Sequence, residues 1–178
     1  MVELAENGVT IRATQPRCFY GNNQKHILNG KEYRVILSRK ELEEMIKKEQ
    51  DVSQVVTTFI TDMNNLFAEV ESFNQPIGSW DVSNVTDMRE MFVYAISFNQ
   101  PIGNWDVSKV KSMKSMFESA YSFNQPIGEW NVSNVKNMEY MFSDSYAFNK
   151  QIGRWNVSNV RDMSGMFSGA KNFNKSIG

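Results

Sequence analysis

The sequence has a single cysteine, Cys18, and a single histidine, His26. One cysteine closes no internal disulfide, and one histidine cannot supply a multi-histidine metal site. Charge of one sign is missing too: 19 Lys and Arg stand against 20 Asp and Glu, a net charge of −1. No bulk positive field therefore favours a phosphate backbone, and nucleic acid is not an expected partner. No apolar run approaches the roughly 18 residues that cross a bilayer, so no membrane span is expected. The opening MVELAENGVT has neither the basic start nor the apolar stretch of a secretion signal. No cofactor and no metal is expected either. Wholesale disorder is excluded by an apolar content of 41% over 178 residues.

What is abundant is large apolar side chains, with 11 Met, 12 Phe and 4 Trp. Their spacing explains them. A shift of 25 aligns nearly everything after residue 55, which makes this a repeat protein. Trp80, Trp105, Trp130 and Trp155 form one column; Val82, Val107, Val132 and Val157 form the next. Met88, Met113, Met138 and Met163 follow, then Met-Phe pairs, and each unit closes on Phe-Asn and Ile-Gly. Five units span 55–178, the first (55–79) degenerate and without the tryptophan.

Within a unit, Ile77, Trp80, Val82 and Val85 have the L-x-x-L-x-L-x-x-L spacing of a leucine-rich-repeat strand. Trp80 and Val82 then point inward and Asp81 outward. Val85, Met88, Met91, Phe92 and Ala95 follow the rhythm of a short helix, with Thr86 or Asp87 as its cap. No unit buries its inward face alone, so neighbours must stack. The expected fold is an α/β, leucine-rich-repeat-like right-handed solenoid of 25-residue strand-plus-short-helix units, with an N-terminal α+β cap.

The columns read as architecture. Methionine at helical spacing is core filler. The tryptophans occupy the inward column, as do Phe98, Phe123 and Phe148. Asn99, Asn124 and Asn149, with Asn74 and Asn174, suit a buried ladder whose amides satisfy backbone groups at a bend. Gly78, Gly103, Gly128, Gly153 and Gly178 suit tight backbone geometry.

Residues 1–54 lack the repeat and read as a capping segment. Val9-Thr-Ile11-Arg alternates like a strand, and Asn29-Gly30 between Ile27-Leu28 and Tyr33–Leu37 marks a hairpin. Ser38 and Glu41 form a capping box ahead of a helix from Leu42 to Lys48, whose apolar stripe is Leu42, Met45 and Ile46. Residues 14–24 read as loop. Cys18 and His26 form no catalytic pair by this reading, because no third orienting residue accompanies them, and the chain is not expected to be an enzyme. At the other end no polar capping segment follows Ile177-Gly178: the chain is a piece of a longer array, or this face is open and self-associates.

Function then falls to the outward positions, Ser79, Asp81 and Ser83; Asn104, Asp106 and Ser108; Glu129, Asn131 and Ser133; Arg154, Asn156 and Ser158. The constant Ser-Asx lattice reads either as solvation of a sheet or as a polar recognition surface. Two carboxylates, Asp81 and Asp106, are too few for calcium. The net charge of the units runs −3, −2, 0, +1 and +2 along the array. That gradient is either surface drift or a field that orients a partner or a second copy.

The unit W-[DN]-V-S-[NK]-V-x-x-M-x-x-M-F-x-x-[AS]-x-x-F-N-x-x-I-G resembles the BspA-like leucine-rich-repeat surface proteins of bacteria, which include repeat lipoproteins of mycoplasmas. The resemblance covers 55–178, and the opening Glu6-Asn-Gly-Val-Thr-Ile and Asn29-Gly-Lys-Glu-Tyr are similar to the segment ahead of such repeats. It implies a non-catalytic surface or secreted protein that binds or adheres to a protein or glycan.

Overall fold

The computed structural model describes residues 1–14 and 25–177, so Cys18 and the loop expected around it lie outside the described residues, as does Gly178. Two small sheets open the chain. Strand β1 (Val2–Leu4) pairs antiparallel with β2 (Ile11–Ala13), Glu3 opposite Arg12. The alternation at residues 9–12 thus marks β2, while β1 is too short to show a periodicity of its own. Strands β3 (Lys25–Leu28) and β4 (Lys31–Val35) form the expected hairpin, with His26 opposite Tyr33. Both turn residues have positive φ, 51° at Asn29 and 77° at Gly30, the backbone that a two-residue hairpin turn demands.

Helix α1 (Arg39–Lys47) begins directly after the Ser38 cap, three residues before the expected start at Leu42, and ends one residue before the expected Lys48; Ser38 Oγ accepts from the Glu41 amide at 3.3 Å. The reciprocal bond differs from a standard box: Glu41 Oε2 accepts from the Leu37 amide at 3.3 Å, and its Oε1 takes Arg34 at 2.7 Å. Leu42 and Met45 are buried, and they join the core of the repeats. Beyond α1, β5 (Val55–Val56) lies parallel to β4, so the first repeat is tied to the N-terminal segment by backbone.

Among the described residues no strand or helix longer than β5 occurs in the repeats. Residues 80–82, expected as a strand, lie between two four-residue turns, Trp80 N–H to Ile77 C=O at 3.1 Å and Val85 N–H to Val82 C=O at 2.9 Å. The residues expected as a helix are turns as well: the amides of Met91, Ala95 and Phe98 reach the carbonyls of Met88, Phe92 and Ala95 at 3.0–3.4 Å. Each of these bonds closes on two core residues. Apolar residues three apart are therefore shared by a helix and by a chain of tight turns, and the pattern alone does not separate them.

The amides between those turns point to the next repeat. Met88, Glu90, Phe92 and Tyr94 donate to the carbonyls of Ser112, Lys114, Met116 and Glu118 at 2.9–3.1 Å. The same four-bond set recurs at each junction from residue 63 to residue 168. Such a zigzag requires a left-handed residue at two places per unit, and φ is 55° at Glu90 and 54° at Tyr94. A helix cannot pass through two such residues. In the last unit these columns are Gly165 and Gly169, the one signal in the sequence that argues against a helix there.

Side chains stack in the same register. Phe92 lies 5.5 Å from Phe117 of the next unit and 3.9 Å from Phe98 of its own, and both relationships repeat along the array. Each indole N–H reaches back 28 residues along the chain: Trp80 to Val52 C=O at 3.0 Å, and Trp105 to Ile77 C=O and Trp130 to Ile102 C=O, both at 3.2 Å. Met88, Met113 and Met138 are buried, whereas Met163, with no described repeat over it, is 40% exposed. The asparagine column makes its ladder, Asn124 N–H to Asn99 Oδ1 and Asn149 N–H to Asn124 Oδ1 at 3.0 Å. It does so at the surface: Asn99 is exposed and Asn124 and Asn149 are half-buried, so the expected burial of this column is corrected.

Candidate groove along the repeats

The Ile-Gly segments that end the units, preceded by proline in the first three and by Gln151 and Ser176 in the last two, line up along one edge of the stack. Their close approach sets the residue type: a Cβ on Gly103 would sit 2.5 Å from the Pro126 carbonyl oxygen of the next unit. Only a hydrogen fits there. The resulting floor is backbone, and a shallow groove runs over it. Its central section, about 550 Å³, is lined by Pro101, Asn104, Pro126, Glu129, Lys150 and Gln151 among others. The next section, about 400 Å³, shares Gly128, Glu129 and Gln151 with it and adds Arg154 and Ser176. A third, about 380 Å³, shares Pro101 and Asn104 and reaches Ser79, where Val9, Lys31 and Tyr33 of the N-terminal segment close the groove.

Of the twelve outward positions singled out in the sequence, Ser83, Ser108, Ser133 and Ser158 offer their amides to the Asx side chain two residues before them, and the other eight separate into three groups. Asn104, Glu129 and Arg154 come together along the groove and are exposed. Glu129 and Arg154 approach to 3.4 Å, with side chains 82% and 86% exposed, so solvent screens the pair and it contributes little to stability. Asp106, Asn131 and Asn156 are also exposed, but each turns one side-chain oxygen onto the amide two residues on, Ser108, Ser133 or Ser158, at 3.0–3.2 Å. These are Asx-turns, and they give the Ser-Asx lattice a structural role.

Asp81 and Ser79 form the third group. Asp81 does not point outward: it is 2% exposed, with Oδ2 accepting from Thr58 Oγ1 at 2.7 Å and Oδ1 from Ser83 Oγ at 2.6 Å. The expectation fails because the neighbouring unit supplies Thr57 and Thr58 and the N-terminal sheet lies over this end. Strand β2 sits against Ser79, whose carbonyl accepts from Ile11 at 2.8 Å, and the amide of Ala13 reaches Thr58 Oγ1 at 2.9 Å. Short N-terminal strands give no sequence signal of where they dock, so this cover was not legible.

Several charged groups on the turn ladder are paired. Burial alone would raise the Asp87 pKa, but hydrogen bonds from Arg89 and the charges of Arg89 and Arg39 outweigh it and hold the carboxyl below its ordinary value. A hydrogen bond from Ser164 does the same for Asp162. Arg39 of α1 spans the first unit, 3.0 Å from Asp62 Oδ2 and bonded to the Asn64 carbonyl. No group of three metal-ligating side chains occurs among the described residues, and none of their helices is long and apolar enough to cross a membrane.

Residues 38–150 and 103–178 match the family described as Mycoplasma protein of unknown function, DUF285, which together is well over half of the chain. No curated protein and no solved structure matches the chain.

Proposed function

The chain belongs to the Mycoplasma protein family DUF285, and on that premise we propose that it is a non-catalytic binding module of a bacterial surface-type repeat protein. The partner is an extended protein segment or a glycan laid along the Asn104–Glu129–Arg154 groove. One observation carries the reading: the groove continues across successive units, with a backbone floor and a different exposed polar side chain at each step. A long shallow trough of that kind suits a linear partner better than a compact small molecule, which needs an enclosed pocket. The apolar columns support a leucine-rich-repeat-like solenoid of the BspA-like kind, with a ladder of turns in place of the strand and helix.

The test is an array of neutral glycans and extended peptides probed with the wild-type chain and with a triple Asn104→Ala, Glu129→Ala, Arg154→Ala variant. A ligand of the groove binds the variant at least about tenfold more weakly while the melting temperature stays unchanged. Equal binding by the two proteins overturns the proposal.

A second reading, a structural element that self-associates, is favoured by the net charge of the units, which runs from −3 in the first to +2 in the last and gives two copies regions of opposite sign to pair. Light scattering across protein concentration separates the readings: a strict monomer removes this one.

A further inference from the structure

One column of the ladder stands apart from the charge pairing seen elsewhere. Thr61, Thr86, Lys111, Lys136 and Arg161 occupy equivalent positions, and the last three are cations in directly bonded register. The Lys136 amide reaches the Lys111 carbonyl and the Arg161 amide reaches the Lys136 carbonyl, both at 2.8 Å. All three side chains are exposed. Like charges set directly opposite on neighbouring strands are destabilising.

Nearby cations are relieved of this: Arg89 lies 2.6 Å from Asp87, Lys114 2.7 Å from Glu139, and Lys171 sits over the Tyr146 ring at 4.4 Å. Lys111, Lys136 and Arg161 have no ion-pair partner among the described residues. The flanking chemistry is also specific. Across buried Val135, Asn134 spends its Nδ2 on the Ser108 carbonyl at 2.7 Å, and Asn159 spends its Nδ2 on the Ser133 carbonyl at 2.7 Å. Both amides are exposed, and each lies two residues before a cation in the chain, its Nδ2 already engaged.

We propose that Lys111, Lys136 and Arg161 form a binding strip for a linear acidic polysaccharide, whose carboxylate or sulfate groups pair with the cations and whose hydroxyls donate to Asn134 and Asn159. This surface shares no residue with the groove, and the proposal stands whether or not the groove reading does. A single-stranded nucleic acid fits less well, because the strip offers no aromatic side chain for its bases to stack on. The near-zero net charge of the chain makes the strip a local attraction felt within about 10 Å in ordinary salt.

The test measures binding of three probes by calorimetry: a heparin-derived octasaccharide for sulfate, an oligogalacturonate for carboxylate, and a single-stranded oligonucleotide. The full chain is compared with Lys111→Gln, Lys136→Gln, Arg161→Gln and with a control that removes equal charge from α1 and its end, Lys40→Gln, Lys47→Gln, Lys48→Gln. The strip variant binds at least one acidic glycan about tenfold more weakly, the control binds as wild type, and affinity falls as salt rises from about 50 to about 200 mM. The strip variant melts no lower than wild type, since its substitutions remove repulsion. Absence of glycan binding by the wild type, equal losses in both variants, or tighter binding of the oligonucleotide overturns the proposal.

Discussion

The indole Nε1 of Trp105 donates to the Ile77 carbonyl, 3.2 Å away and 28 residues earlier in the chain, and both residues are at most 3% exposed. The tryptophan column is thus a set of hydrogen-bonded clamps between units as well as apolar filler. Replacing Trp105 by Phe keeps an aromatic ring in the core and leaves the Ile77 carbonyl without its donor. The expected cost is about 1–3 kcal/mol, read as a lower midpoint in urea unfolding.

Glu90 sits in the left-handed region at φ 55°, where its Cβ is strained. Substitution by glycine relieves strain of about 1–2 kcal/mol and costs about 0.5–1 kcal/mol of chain entropy. Glu90→Gly is therefore neutral to slightly stabilising in thermal unfolding. In a helix the same change would cost about 1 kcal/mol, so a clear loss of stability would count against the ladder of turns.

Asp81 and Asp106 are equivalent in sequence and opposite in surroundings. Asp81→Ala strips a hydrogen bond from the buried Thr58 hydroxyl and is expected to cost about 1–3 kcal/mol. Asp106→Ala breaks one exposed Asx-turn and is expected to cost about 0.5 kcal/mol. Parallel urea titrations of the two variants check the difference.

The depressed pKa of Asp87 makes its contribution pH-dependent. The stabilisation is complete above the ordinary aspartate pKa of about 3.9 and is lost as pH falls through the lower folded value. Asp87→Asn is expected to be less stable than wild type at neutral pH, with the two stabilities converging as the solution is acidified below about pH 4. Unfolding midpoints measured across that range give the comparison.

The sequence pattern carries the apolar columns down to single residues. Trp80, Met113 and Phe123 lie in the core where a period of 25 puts them. It does not carry the backbone path between them, since a step of three suits a helix or a four-residue turn. Gly165 and Gly169 held the information, but in one unit only, and Glu90 and Tyr94 take the same backbone without being glycine. Of the outward residues, Asn104, Glu129 and Arg154 could be placed on one edge by periodicity alone. The burial of Asp81 could not, because it follows from where β2 docks, a contact between segments about seventy positions apart.

The four amide bonds at each junction run from one unit to the next, and so does the indole clamp. A pull along the stack loads every bond of a junction together and passes undiminished to the following junction. The force at which the array parts is then set by its weakest junction and not by how many units it has. Lengthening such a chain extends its reach without lowering the tension it can bear.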